Sequence, residues 1–189
     1  RVRTMLASAN FAAVRRLLGR PFQMRGRVVK DQQRGRTIGV PTANLPLLPG
    51  PLALRGVFAV MVDVDGRQYP AVANIGWRPT VGSPRPVCEA HLLDFDGDLY
   101  GRLLTVTPCA KLRGEIAFDG FDALKTQIYA DIDQARALFA DAGCCAAAQA
   151  AATTAGTADD AFPLASAPRA RDAANYDSSA GRPADHDDG

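Results

Sequence analysis

The sequence predicts a mainly β protein, an antiparallel barrel with a helical segment near each end. Between residues 22 and 108, short apolar runs alternate with polar positions and are separated by tight turns, which favours antiparallel strands over βαβ units. The pair Asp65-Gly66 lies between two such runs, as in a two-residue hairpin. A chain of 189 residues is long enough to bury one core of this kind.

Five segments carry the strand pattern, with bounds at 22–28, 57–64, 68–75, 88–93 and 103–106. The second and third flank the Asp-Gly pair, and the last two are joined by a turn rich in Asp and Gly. Val40 and Leu45 each precede a proline, which predicts extended backbone between them.

A short helix is predicted before the first strand. Asn10 is the expected cap, and Gly19 followed by Pro21 ends the segment. Its apolar face consists of Phe11, Val14, Leu17 and Leu18.

A longer helix is predicted after the last strand and is expected to pack across the barrel. Asp119 is the expected cap, and Asp122 suits the positive end of the helix dipole. Its apolar stripe comprises Phe121, Leu124, Ile128, Ile132, Ala135 and Leu138. The segment 143–189 is dominated by Ala, Thr, Ser, Asp and Pro, which predicts a disordered tail.

Composition narrows the function classes. A net charge of +2 is too small to indicate nucleic-acid binding. No apolar run approaches the ~20 residues that a membrane-spanning helix needs. The spacing of Cys88, Cys109, Cys144 and Cys145 suits neither a disulfide framework nor zinc, so we expect reduced thiols. We therefore expect a cytoplasmic protein without membrane or nucleic-acid partners, and a monomer, since no heptad pattern argues otherwise.

The charge is unevenly distributed. Residues 1–36 contain ten Lys or Arg and a single acid, Asp31. Two interpretations remain open: a solvated basic face, or a field that attracts a polyphosphate.

The stretch from Gly26 to Asn44 is the first candidate binding segment. Glycines let backbone N–H groups approach phosphates closely, and Lys or Arg supplies compensating charge. The stretch has neither the Gly-Lys-Ser/Thr of a Walker loop nor the helix start of a dinucleotide fingerprint. In extended backbone Thr42 and Asn44 project to the same side, where a hydroxyl and an amide oxygen can hold Mg²⁺. On spacing alone, a plain surface turn in which Thr42 and Asn44 only satisfy turn hydrogen bonds is the competing interpretation and the favoured one.

Glu89 and His91 form a second pair on one side of a predicted strand, opposite Cys88, Ala90 and Leu92. Glu89 could take a proton from an attacking hydroxyl. His91 could orient that hydroxyl or form a structural hydrogen bond. A carboxylate that only decorates the surface is the competing interpretation for Glu89.

Taken in order, several motifs resemble the riboflavin kinase family over about residues 21–140. They are Gly35-Arg36, Gly39-Val-Pro-Thr-Ala-Asn44, Gly56-Val-Phe-Ala59, Asn74-Ile-Gly-Trp-Arg-Pro-Thr80, Glu89-Ala-His91, Asp94-Phe95, Asp98-Leu-Tyr-Gly101, Leu112-Arg113-Gly-Glu115-Ile-Ala-Phe118 and Gln127-Ile with Asp131. The resemblance implies a six-stranded antiparallel Greek-key barrel with a C-terminal helix. It also implies transfer of the γ-phosphoryl group of ATP to the 5′-hydroxyl of riboflavin, giving FMN.

The resemblance also implies roles for particular residues. Glu89 is the expected general base, Thr42 and Asn44 the expected Mg²⁺ ligands, and Arg113 the expected flavin contact. The nucleotide and its phosphates are expected against Gly26, Lys30, Gly35, Arg36, Thr37, Gly39, Thr42, Asn44 and Tyr100. Two features depart from the family: Val81 stands where an aromatic residue is frequent, and the tail is long.

Three domains follow from this reading. Residues 1–20 resemble the last piece of an upstream FMN adenylyltransferase domain, 21–142 form the kinase domain, and 143–189 form the tail. Because bacterial relatives are commonly bifunctional and the adenylylating body is absent from these residues, we expect FMN and no FAD. Two alternatives remain, a flavin- or nucleotide-binding module without catalysis and a nucleic-acid-binding barrel.

Overall fold

A computed structural model describes residues 1–30, 35, 38–48, 50–78 and 85–141. The two N-terminal helices are α1 (Val2–Ala7) and α2 (Phe11–Leu18), and the C-terminal helix is α3 (Phe121–Ala140). The six strands are β1 (Met24–Arg27), β2 (Ala43–Pro46), β3 (Gly56–Val64), β4 (Arg67–Arg78), β5 (Arg85–Leu92) and β6 (Leu103–Arg113). Within these ranges no helix is long and apolar enough to cross a membrane.

The strands form one antiparallel sheet in the order β1-β6-β3-β4-β5-β2. Strand β6 returns beside β3 after the β3-β4-β5 meander, which is a Greek-key connection. The edge strands meet where Val29 donates its backbone N–H to the carbonyl of Asn44 at 2.9 Å. The sheet is therefore a nearly closed barrel, which confirms the predicted fold class.

The barrel interior is filled by one side of each strand. Phe58, Val60 and Val62 of β3 alternate inwards and are fully buried, together with Ile75 and Cys88 from the neighbouring strands. Helix α2 closes one region of this core, where the Phe11 ring packs edge-on against Phe58 at 6.2 Å between centroids. The residues that face outwards on the same strands form the outer wall of the barrel, and Ala59 of β3 is buried there.

The Asp65-Gly66 hairpin is confirmed. Both residues have positive φ, 51° and 84°, which matches the right-handed twist of the flanking strands. The side chain of Asp63 accepts the Gly66 N–H at 3.1 Å and holds the turn.

Strand β6 is longer than the 103–106 predicted from the sequence. The strand continues to Arg113, and its register shifts on either side of Cys109 and Leu112, so each is an extra residue opposite β3. Such bulges accommodate a proline and turn later side chains to another face. They bring Arg113 opposite Val57 on the outer face of the barrel.

The predicted helices are present. The Asn10 side chain accepts the Ala13 N–H at 3.0 Å, and Gly19 ends α2 in the left-handed conformation at φ 70°. The predicted Asp119 cap of α3 is wrong, because Gly120 occupies that position and no side chain caps the helix. Asp122 lies in the first turn, as expected.

Helix α3 packs on the outer wall of the barrel rather than on its interior. Ile132 and Ala135 are buried against Ala59 and Val72 of the wall. Phe121, at the start of the predicted apolar stripe, is instead 56% exposed. The part of the stripe nearest the N-terminal end of the helix is therefore free to face a ligand. The predicted tail, 143–189, lies outside the described residues.

Candidate active site

Five strands contribute one side chain each to a continuous row on the outer barrel wall. Asn44 of β2 lies opposite Glu89 of β5, which lies opposite Asn74 of β4. The row continues through Val57 of β3 to Arg113 of β6. Directly opposed residues have Cβ atoms about 4.5–5.5 Å apart, so Glu89 has an amide side chain on either side.

All five residues of this row line one cavity of about 590 Å³ between the wall, α3 and the 114–120 loop. A cavity of this size accommodates a drug-sized molecule. The end nearest the loop is apolar and partly open, with Trp77, Ile116 and Phe121 all more than a third exposed. The polar row and the apolar mouth together suit a flat aromatic molecule that carries a polar chain.

A second cavity of about 350 Å³ lies beside the first, and Thr42 lines both. Its walls include Pro41, Thr42 and the 95–100 turn, where Tyr100 lies. The Lys30 ammonium lies over the Tyr100 ring, 5.5 Å from its centroid. Two cavities that meet at Thr42 allow two ligands to be bound side by side.

Glu89 lies at the centre of the polar row, with 23% of its side chain exposed. Its Oε1 accepts a hydrogen bond from Nη2 of Arg78, while Oε2 has no partner among the described residues. Behind it, burial and then the negative charge of Glu89 raise the pKa of the Cys88 thiol to about 12. Cys88 is therefore an inert core thiol, and Glu89 is the group of this pair that is accessible to a ligand.

Asn44 carries a polar atom without a protein partner. The residue is 6% exposed, and its Oδ1 accepts no hydrogen bond from the described residues. Buried oxygens without partners are rare and call for a ligand, an ion or water. Within the same ranges no group of three His, Cys, Asp or Glu could hold a metal by itself. A hydroxyl and an amide oxygen fit Mg²⁺ that takes its other ligands from phosphate and water.

His91 is joined to the segment that carries Thr42. Its Nδ1 lies 2.8 Å from the carbonyl oxygen of Pro41, so the tautomer with a proton on Nδ1 donates to that oxygen. This contact ties β5 to the backbone immediately before Thr42. The structural interpretation of His91 accounts for this geometry.

Arg113 is fixed by α3. Its Nε lies 3.0 Å from both carboxylate oxygens of Asp131, and Nη2 lies 2.8 Å from Oδ2. Gln127 adds a hydrogen bond to Oδ1 at 2.9 Å. The side chain of Asp131 is only 4% exposed, so this ion pair is buried and anchors the start of the 114–120 loop.

The same region of α3 also contacts the glycine-rich segment. The Tyr129 hydroxyl donates to the carbonyl oxygen of Ile38 at 2.8 Å. Gly35 lies against this segment so closely that a Cβ there would collide with the Val40 carbonyl and lie 3.5 Å from Thr42 Oγ1. Helix α3 therefore touches both the nucleotide-side segment predicted from sequence and the base of the opposite loop.

The structure brings together most of the predicted site residues that it describes. Gly35, Thr42, Asn44, Glu89 and Arg113 line the first cavity, and Thr42 and Tyr100 line the second. Gly26 lies in β1, where it packs beside Leu45. Lys30 touches Tyr100, and Gly39 approaches Tyr129. Arg36 and Thr37 lie outside the described residues.

Other residues of the site escaped sequence reasoning. Asn74 and Arg78 lie in a motif that carried no individual roles, and their positions beside Glu89 depend on the β4-β5 register. Tyr129 interrupts no pattern, and nothing in its local sequence points to a contact with Ile38. For Asn74 and Arg78 the sequence did carry one signal. Alternate residues of a strand face the same side, so Asn74, Gly76 and Arg78 share one face.

A small barrel with two adjoining cavities and a carboxylate near their junction has the layout of an enzyme that joins two substrates. The family model described as Flavokinase: Riboflavin kinase matches residues 18–139. The chain therefore belongs to the riboflavin kinase family, and these residues form its riboflavin kinase domain.

Curated relatives agree with this assignment. The bifunctional riboflavin kinase/FMN adenylyltransferase of Pseudomonas fluorescens is 53% identical over 140 residues, covering 74% of this chain and 45% of the relative. The Escherichia coli K12 protein of the same name is 48% identical over 139 residues, covering 73% and 44%. The chain thus spans about half the length of these relatives.

Solved structures share the fold. The riboflavin kinase of Trypanosoma brucei superposes with a TM-score of 0.51 at 23% identity, covering 74% of this chain and 93% of the other. A Streptococcus pneumoniae chain named as a macrolide-efflux protein superposes with a TM-score of 0.64 at 35% identity, covering 71% and 45%.

Proposed function

We propose that this chain transfers the γ-phosphoryl group of ATP to the 5′-hydroxyl of riboflavin, giving FMN and ADP. The observation that carries the proposal is the position of Glu89, between Asn44 and Asn74 in the first cavity and close to the Thr42 junction with the second. Family membership supplies the reaction class, and the roles proposed below go to residues that line the two cavities.

Riboflavin would occupy the first cavity. Its isoalloxazine ring is flat and largely apolar, which suits the open end that Trp77, Ile116 and Phe121 line. The ribityl chain is polar and would extend along the row of Asn74 and Glu89. The 5′-hydroxyl would then reach the carboxylate at the row's centre. Because the protein has a single tryptophan, flavin binding is expected to quench the fluorescence of Trp77.

ATP would occupy the second cavity, with its phosphates directed towards Thr42. Tyr100 offers an aromatic face, and Lys30 beside it offers a positive charge. The glycine-rich segment that includes Gly35 and Gly39 would lie over the phosphates. This arrangement would place the γ-phosphoryl group at the junction of the two cavities.

Glu89 would act as the general base. Its Oε2, which has no partner among the described residues, would accept the proton of the 5′-hydroxyl while the hydroxyl oxygen bonds to the γ-phosphorus and the bond from phosphorus to the β,γ-bridging oxygen breaks. The proton remains on Glu89, and ADP departs. Such base catalysis is worth about 10²–10⁴-fold in rate. The remaining acceleration would come from alignment of the two substrates and from charge stabilisation.

Mg²⁺ would be held by Thr42 and Asn44, whose unpartnered Oδ1 is the observation that favours an ion here. The ion would neutralise the charge of the phosphate oxygens. The protein's part is to fix these two oxygen ligands at the junction through the β2-β5 pairing.

The test is conversion of riboflavin to FMN with ATP and Mg²⁺, followed by chromatography, for the wild type, Glu89→Gln and Asp65→Asn. Asp65 is a matched control because it is an exposed carboxylate at the β3-β4 turn, where Asn tolerates the positive φ. We expect formation of FMN by the wild type, loss of at least about 10²-fold in Glu89→Gln and no change in Asp65→Asn. Chelation of the metal should abolish turnover.

Two outcomes would contradict parts of the proposal. If riboflavin quenches the Trp77 fluorescence of a folded chain that forms no FMN, the chain is a binding module without catalysis. Undiminished FMN formation by Glu89→Gln would retain the kinase and discard Glu89 as its base.

A further inference from the structure

The candidate base is held by an arginine to which sequence reasoning gave no role. Arg78 of β4 donates from Nη2 to Oε1 of Glu89, and both side chains line the first cavity. They are partly shielded, with 34% of Arg78 and 23% of Glu89 exposed. The contact joins two neighbouring strands inside the site.

The strand register makes this contact unusual. Arg78 lies opposite Arg85, whereas Glu89 lies opposite Asn74, so the two partners are four residues apart along the strands. That separation is about 13 Å in a regular strand. The position between them on the same face of β4 is Gly76, which has no side chain. The Glu115 carboxylate lies against this glycine, where a Cβ would collide with it, so the arginine reaches Glu89 past a position that carries no side chain of its own.

The contact engages one carboxylate oxygen. Oε1 is bound to the guanidinium, and Oε2 has no partner in the described part of the chain. A glutamate on a strand surface has several rotamers, and restricting them costs side-chain conformational entropy. An arginine that binds Oε1 supplies this restriction before the substrate arrives.

We propose that Arg78 is a positioning residue for phosphoryl transfer: it holds Glu89 in the orientation that presents Oε2 to the riboflavin hydroxyl. This inference rests on the proposed function, in which Glu89 is the base. Arg78 acts through Glu89, so its removal cannot cost more than the removal of the base itself. The guanidinium also offsets the negative charge of the carboxylate near the incoming phosphates.

The experiment is a double-mutant cycle measured as kcat and KM for riboflavin. The variants are wild type, Arg78→Gln, Glu89→Gln and the double variant, with Arg78→Lys added. We expect Arg78→Gln to lower kcat about 10–100-fold and to change KM by less than about 3-fold. In the Glu89→Gln background the same substitution should change kcat by less than about 3-fold, because the group that it positions is gone.

Arg78→Lys separates charge from geometry. A lysine keeps the positive charge and loses the planar fork, so we expect kcat to recover only in part. Arg102→Met is the matched control, since it removes an exposed arginine ion pair with Asp65 outside the site. Arg102→Met should leave kcat and the KM for riboflavin unchanged. Thermal unfolding and Trp77 quenching by riboflavin verify that each variant is folded and binds flavin; if Arg78→Gln is not folded, Arg78→Lys carries the cycle.

The outcomes distinguish this inference from the proposed function. An equal loss of kcat from Arg78→Gln in both backgrounds would overturn it, because Arg78 would then act independently of Glu89. A raised KM with unchanged kcat would also overturn it and would make Arg78 a binding residue. Absence of FMN formation by the wild type would instead refute the proposed function, and full activity of Glu89→Gln would discard Glu89 as its base while retaining the kinase.

Discussion

The Arg113–Asp131 pair provides a quantitative test of how α3 is attached to the site. Replacing Asp131 by Asn keeps the shape of the side chain and removes its charge. Asp131 is 4% exposed and accepts three hydrogen-bond contacts from Arg113, whose side chain is 17% exposed. The substitution therefore leaves a guanidinium buried without its counter-charge.

Breaking a buried ion pair on one side costs about 3–5 kcal/mol. Arg113 retains its hydrogen bond to the Gly114 carbonyl at 3.0 Å, so the lower end of that range, about 3 kcal/mol, is expected here. With an entropy of unfolding near 2 cal/mol/K per residue, a domain of about 140 residues would lose about 10 °C in Tm.

Urea unfolding and thermal denaturation measure this loss, with Asp94→Asn as the matched control. Asp94, in the turn after β5, pairs with Arg136 of α3, but these side chains are 71% and 48% exposed. The guanidinium holds the pKa of Asp94 below its usual value, yet solvent screens such pairs. A Tm change of at most about 2 °C is therefore expected for the control.

A second substitution separates the lost charge from lost packing. If the cost of Asp131→Asn arises from an unpaired guanidinium, adding Arg113→Met should restore part of the Tm. A Tm for Asp131→Asn within about 2 °C of the wild type would refute the reasoning. So would a double variant less stable than Asp131→Asn alone.

Three further predictions concern other parts of the site. Tyr129→Phe removes the hydroxyl that holds the glycine-rich segment, so the KM for ATP should rise about 2–10-fold, and an unchanged KM would contradict this role. The new methyl group of Gly76→Ala would push against the Glu115 carboxylate, whose side chain is 41% exposed and can move away. The Tm should therefore stay the same while the KM for riboflavin rises, and a large loss of Tm would contradict this prediction. Burial and then the charge of Glu89 raise the pKa of the Cys88 thiol from about 9 in the unfolded chain to about 12. The protonated thiol therefore contributes its full stability below pH 9, and this contribution is lost as the pH rises through 12. The urea midpoints of the wild type and Cys88→Ala should therefore converge between pH 9 and 12. A difference between the two midpoints that stays constant over this range would contradict the raised pKa of Cys88.

Much of the fold could be read from local pattern. The Asp65-Gly66 hairpin, the Asn10 cap and the buried alternation of β5 depend on residues close in sequence. The Asp119 cap failed because Gly120 can adopt the backbone geometry of a helix start without a side-chain bond. Strand β6 was predicted too short because its bulges depend on pairing with β3, which no local pattern around Pro108 reveals.

The candidate site was only partly predictable for a related reason. Thr42, Asn44 and Glu89 follow from motifs, and strand parity places Asn44 and Glu89 on faces that the β2-β5 register then joins. Arg78 and Tyr129 act through contacts that span strands or connect a helix to a loop. Register and helix docking are set by the whole core, so these partners appear only in three dimensions.

The most direct measurement of the central claim uses ATP labelled with ³²P in the γ position. Riboflavin, Mg²⁺ and the purified chain are added, and the label in FMN, ATP and inorganic phosphate is separated by chromatography. The account predicts that label leaves ATP and appears in FMN in equal amounts, and that Glu89→Gln slows this transfer at least about 10²-fold. Label that appears only in inorganic phosphate, or that stays in ATP while riboflavin quenches Trp77, would contradict it.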